Sequence, residues 1–280
     1  MRTLTLAVLA SVVLPAAGAA AAPEEVVLSL SGSRALRVPV HVNGRGPFTF
    51  LLDTGASHGT VSGELAERLA LPVVAQVRVV TTAGPRMRQV VRVERMAIGS
   101  ATGSGLMPSV VPTAQLRALE PGIDGIIGQD FLSAFDYTLD YRRRRLRWSA
   151  GPEEGLARLP LVHAAGRALV RLAGDGGRGP VLMVPDSGSE GLVLFARHGR
   201  PPVPVDEAAR RVAVEAVGAS RPGRGALLRE LRVGGVTLRN EPAVIVEGGG
   251  DQAVEGDGLL PLHHFSRVSI SNSEGFMTVR

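Results

Sequence analysis

The chain has no cysteine and no lysine, and its 31 basic residues are all arginine. Without cysteine, neither a disulfide nor a thiol-borne lipid anchor can form, so the fold rests on its core alone. Aromatic residues make up only 4% of the sequence. That scarcity, with no clustering of the basic residues among aromatics, excludes a nucleic-acid binder despite a formal charge of +5. No run of about 20 apolar residues is present, so no spanning helix is expected. His263-His264 has no third ligand at a recognisable spacing, so no metal site and no cofactor is expected.

What is abundant is glycine (35) and proline (19), within 280 residues that are 45% hydrophobic. That composition suits a globular, turn-rich β-protein. The N-terminus has one arginine, then an apolar run Leu4–Leu14, then small residues leading to Ala20-Ala21-Ala22. This is the layout of a secretory signal peptide over 1–22, and predicts export to a periplasm or the medium.

The chain also carries an internal echo. Arg45-Gly46-Pro47 recurs as Arg178-Gly179-Pro180, at an offset of 133. The same offset carries Asp53-Thr54-Gly55 onto Asp186-Ser187-Gly188, and Asp124-Gly125-Ile126-Ile127 onto Asp257-Gly258-Leu259-Leu260. Met96-Ala97-Ile98-Gly99 matches Leu231-Arg232-Val233-Gly234 at 135, which implies a short insertion. Landmarks in one order and nearly one register predict two similar lobes, 23–149 and 156–280, joined by a linker over 150–155.

Each lobe reads as a strand pair leading into its aspartate. "ALRVPVHVNGRGPFTFLLD" predicts two strands joined at Asn-Gly-Arg-Gly-Pro, and "ALVRLAGDGGRGPVLMVPD" repeats the plan. "SGELAERLAL" predicts a short helix capped by Ser62. Long hairpins follow in both lobes, with tips at Thr82-Ala83-Gly84-Pro85 and near Gly218 to Gly223.

An aspartate at the end of an apolar strand, followed by a hydroxyl residue and a glycine, leaves a buried strand at a tight turn. It is partly desolvated and surrounded by amide and hydroxyl donors. Two such carboxylates at roughly 3 Å cannot both ionise and share one proton. One then acts as base on a water while the other donates to a carbonyl oxygen.

"LLDTGAS" together with "IDGIIGQDFL" resembles the retropepsin-like aspartic proteases, the clan that includes pepsin. The resemblance implies an all-β fold of two pseudo-symmetric β-barrel lobes with short helices, acting as an aspartic endopeptidase on peptide or protein substrates. It implies Asp53 and Asp186 as the catalytic pair. Thr54, Gly55, Ser187 and Gly188 would support the two turns, and Thr82, Ala83, Gly84 and Ser220 would lie at flap tips over the substrate. A single chain carrying both turns predicts a monomer. The alternatives are a homodimer using Asp53 of each chain, and a silent peptide-binding protein of the same fold.

The second copy departs from the pattern. Pro185 stands before its aspartate and removes one ladder donor. Pro261 replaces the glycine found at Gly128, and Ser189-Glu190 follows the turn. Arg142–Arg145 reads as a solvated hairpin turn, Ser57-His58 forms no triad, and Asp124 and Asp257 read as turn carboxylates.

Overall fold

A computed structural model describes residues 25–30, 34–81, 84–148, 155–174, 179–216, 219–247 and 256–280. The expected signal segment, 1–22, and nearly all of the linker lie outside these residues.

The first long strand, Leu36–Val42, buries Leu36, Val38, Val40 and Val42, the alternation that puts one strand face on a core. It turns at Asn43-Gly44, both with positive φ (49° and 75°), the geometry a two-residue hairpin with right-handed strand twist demands. The turn is tighter than the five residues expected. Val42 already pairs with Arg45, so Arg45-Gly46-Pro47 belongs to the returning strand Arg45–Leu52. On that strand's other side runs Gly125–Ile127, parallel, with Phe50 opposite Gly125 and Leu52 opposite Ile127. Gly125–Ile127 also pairs antiparallel with Thr60–Ser62. It is buried on both faces, which is why its sequence is a continuous apolar run.

The C-terminal half uses the same scheme. Val181–Asp186 runs parallel to Gly258–Pro261, with Met183 opposite Gly258 and Pro185 opposite Leu260. Leu194 pairs with Gly258 and Val193 with Leu259. Each of these pairs is the N-terminal pair advanced by 133 at both positions. The carboxylates before the glycines follow suit: Asp124 Oδ2 accepts Thr49 N–H at 3.0 Å, and Asp257 Oδ2 accepts Leu182 N–H at 2.9 Å.

The halves differ where proline intervenes. Leu36 pairs with Leu52 in the first half, whereas in the second the ladder between Arg167–Leu172 and Val181–Asp186 runs from Leu172–Val181 only to Val170–Met183. It is slipped by one residue and stops before Pro185, which has no N–H to give it. Among the described residues the second half also lacks a counterpart of the helix Gly63–Arg68; a tight turn between Arg197 and Arg200 stands there, followed by Pro201, Pro202 and Pro204. Ser62 caps the first-half helix as expected, its Oγ accepting Leu65 N–H at 3.0 Å. A second helix, Thr113–Leu119, was not foreseen.

Among the described residues two curled sheets result, of ten and thirteen strands. The larger contains a run of six strands to which both halves contribute. Glu25–Val27, Arg145–Trp148 and Tyr137–Asp140 come from one half, and Arg267–Ser271, Phe276–Val279 and Leu159–Ala164 from the other. The seam is the antiparallel pair of Tyr137–Asp140 with Arg267–Ser271, with Thr138 Oγ1 and Ser269 Oγ 2.8 Å apart across it. Buried side chains from both halves form one continuous core.

Two long hairpins project from these sheets. Val73–Thr81 and Gly84–Val91 close at the pair Thr81–Gly84; Val205–Ala216 and Ala219–Val233 close at Ala216–Ala219. Gly84 therefore opens a return strand and Ser220 sits one pair behind the second tip, while Thr82 and Ala83 lie outside the described residues.

Candidate active site

Asp53 and Asp186 meet where the two halves join, each leaving its strand beside the parallel apolar segment. Asp53 N–H donates to Ile127 O at 3.0 Å, which anchors the first turn to that segment. Within each turn the carboxylate collects amides. Asp53 Oδ1 accepts Gly55 N–H at 2.9 Å and Ala56 N–H at 3.0 Å. Asp186 Oδ1 accepts Gly188 N–H at 2.8 Å and Ser189 N–H at 2.9 Å.

The hydroxyl residues lock the turns to one another. Thr54 N–H donates to Ser187 Oγ, and Ser187 N–H to Thr54 Oγ1, both at 3.0 Å. The hydroxyls donate onward: Thr54 Oγ1–H to Pro185 O at 2.7 Å, and Ser187 Oγ–H to Leu52 O at 2.6 Å. All four bonds cross between the halves and are buried, so none is weakened by competing water. Pro185 keeps its part here, because this contact uses its carbonyl rather than its missing N–H.

The glycines set the approach. A Cβ on Gly55 would lie 2.6 Å from Asp186 Cγ, and one on Gly188 would lie 2.8 Å from Asp53 Cγ. Each turn thus presents bare backbone to the carboxyl of the other, and any side chain would drive the two aspartates apart.

The two carboxyls are close enough for each to influence the titration of the other. Burial pushes Asp53 up from the ordinary carboxylate range, opposed by Gly55 N–H, the Asp186 carboxyl, Ala56 N–H and the Arg167 charge. Burial, then the charge of Asp53, pushes Asp186 well above that range, and its own amides only partly offset this. Asp186 is also the more enclosed of the two, at 7% exposure. Both carboxyls are thus held above their ordinary range, and they titrate as a unit.

Arg167 accounts for part of that asymmetry. Its Nε–H donates to Gly55 O at 2.9 Å across the halves. Arg34 holds the same place in the first half, 133 residues earlier, yet is exposed; its charge helps hold His263 down. The sequence signal was available, since Arg34-Ala35-Leu36 recurs as Arg167-Ala168-Leu169 at the common offset. Gln129 was missed as well: its Nε2–H donates to Thr54 O at 2.7 Å, bracing the first turn from beneath. Leu262 stands at that place in the second half, and its side chain can donate nothing.

Neighbouring polar groups support the turns. Asp130 Oδ1 accepts Gly59 N–H at 2.9 Å, and burial raises its carboxyl. The residue at its place in the second half is His263, which stacks on His264 at 4.7 Å and is hydrogen-bonded to the Ser189 main chain. Burial, then the His264 and Arg34 charges, lowers its pKa to about 4. His58 Nδ1 and Ser57 Oγ do lie 3.1 Å apart, closer than adjacency suggested, but no carboxylate is within ion-pair distance of His58 among the described residues. Among those residues no three metal-ligating side chains gather, and no helix is long and apolar enough to cross a membrane.

Curled all-β sheets, with an Asp-Thr-Gly turn set against a parallel apolar-apolar-Gly strand, are the arrangement that the resemblance to retropepsin-like aspartic proteases implies. Residues 38–131 match the family model described as aspartyl protease, a span that includes Asp53 and the Gly125–Ile127 strand. A retropepsin-like aspartic protease from Rickettsia conorii is similar at 17% identity, with 45% of this chain and 89% of that chain covered and a TM-score of 0.33. No curated protein matches the chain.

Proposed function

We propose that the protein is an exported aspartic endopeptidase whose two catalytic carboxylates, Asp53 and Asp186, come from one chain. The observation that carries this is the reciprocal lock of the two turns, with each carboxyl set against the bare glycine of the other turn. A water held by both carboxyls loses a proton to Asp53, the less enclosed of the two. Its oxygen attacks the peptide carbonyl carbon while Asp186 gives its proton to the carbonyl oxygen. The tetrahedral intermediate collapses when a carboxyl proton passes to the amine that leaves. The Gly55 and Ala56 amides, with Gln129 beneath, hold the first turn still while charge moves.

The shared register of the two halves supports descent from one duplicated lobe. Export rests on the N-terminal sequence, and N-terminal sequencing of the mature protein tests it. For catalysis, a diverse peptide library is incubated with the protein from acid to neutral pH. Cleavage abolished by both Asp53→Asn and Asp186→Asn is the expected result. Full activity in Asp186→Asn would turn the reading to a homodimer through Asp53. No cleavage by the parent protein at any pH would turn it to a peptide-binding role.

A further inference from the structure

The arginine run Arg142–Arg145 is not a uniform solvated turn. Arg145 faces Glu25, at 3.6 Å, as does Arg147. Arg142 and Arg143 face the other way, into an open cleft of about 350 Å³ at the end of the seam between the halves. Its walls are Asp140, Arg142, Arg143, Ser266, Arg267 and Arg280.

We propose that this cleft binds a phosphate-bearing anion. Four guanidinium groups line it against the Asp140 carboxylate. Even if the main-chain carboxylate at Arg280 is counted, two positive charges remain in excess. That excess matches a phosphate dianion, and guanidinium forks bind phosphate oxygens in pairs. Arg142 makes no ion pair with any described residue, so its charge is not already committed.

The frame is built rather than fluid. Asp140 closes the last pair of the seam, opposite Arg267, and its Oδ2 accepts Arg267 Nη2–H at 2.9 Å. Burial raises the Asp140 carboxyl, but Arg143 N–H, Arg267 and the Arg143 charge outweigh it and hold the group low. Tyr141 N–H donates to Ser266 O at 3.0 Å, and Ser266 N–H to Arg280 O at 2.7 Å. Main-chain bonds thus fix three segments of the wall, leaving the Arg142 and Arg143 side chains to close on a ligand. The cleft's volume accommodates phosphate with a small organic substituent.

Calorimetric titration of the whole protein with inorganic phosphate and with glycerol 3-phosphate, at constant ionic strength in chloride, tests this. Saturable binding is expected, weakened about tenfold or more in the Arg142→Ser/Arg143→Ser double variant, as loss of charge-assisted hydrogen bonds entails. A control of equal charge loss outside the cleft, Arg144→Asn/Arg171→Ser, should bind as the parent does. No saturable binding, or equal weakening in both double variants, overturns the proposal. Co-sedimentation with phosphatidate vesicles, reversed by glycerol 3-phosphate, identifies a lipid headgroup as the source; titration without vesicle binding identifies a soluble phosphate. Neither readout requires proteolysis, so its failure is separable from failure of the protease reading.

Discussion

Asp53 and Asp186 occupy equivalent turns but different surroundings, and the difference is measurable. Both carboxyls titrate above their ordinary range in the folded chain, so the folded state binds more protons than the unfolded one. Their stabilising contribution is fully present below the ordinary carboxylate pKa and is lost as pH rises through the folded values. Asp186→Asn should therefore raise the melting temperature by a few degrees at neutral pH and change it little in acid, while cutting kcat/KM by ~10³ or more. Melting curves at the two pH values check the first, and a larger gain in acid would contradict it. Arg167 gives a second residue-scale prediction. Its charge supports ionised Asp53, so Arg167→Gln should raise the pKa of Asp53 and move the acidic limb of the kcat/KM profile to higher pH. Arg167→Lys should restore the limb in part, and a limb unmoved in Arg167→Gln would show that the bond to Gly55 O is only structural.

At the scale of elements, the decisive device is the short parallel strand beneath each turn. It fits because Gly125 and Gly258 have no side chain: a Cβ on Gly125 would collide with the Phe50 ring and Thr60 O, and one on Gly258 with Val193 O and Met183. Gly125→Ala should cost about 1–3 kcal/mol through overpacking and lower activity with it, since Ile127 O anchors Asp53 N–H. Chemical unfolding alongside peptide hydrolysis checks both. These strands were legible in the sequence, because the Asp-Gly-apolar-apolar and Asp-Thr/Ser-Gly segments recur at one offset. The Ser62 cap was legible too, from local cap chemistry, and so were the two long hairpins, although their return strands begin at Gly84 and Ala219, within or beside the tips expected. The slipped ladder before Pro185 was half legible: the lost donor was expected, while the one-residue shift depends on how neighbouring strands relax. The crossing bond of Gln129, which spans 75 residues, had no signature, and that of Arg167, which spans 112, showed only as the recurrence of Arg-Ala-Leu.

For the whole molecule, the seam of Tyr137–Asp140 with Arg267–Ser271 matters most, and it was not foreseen. Strand pairing between segments so far apart in the chain leaves no periodicity to read. It predicts that specific activity is independent of protein concentration over several decades, with a single-chain mass by sedimentation during turnover. Activity that falls on dilution would favour pairing of Asp53 with Asp53 of a second chain.

The seam has one further consequence. A protease assembled from two separate chains is silenced by scarcity: below some concentration its halves part and the site ceases to exist. Here the halves are woven into one sheet, and both aspartate turns belong to one chain. On the proposed reading dilution offers no protection to the proteins around it, so restraint of the activity falls to whatever controls access to the two aspartates.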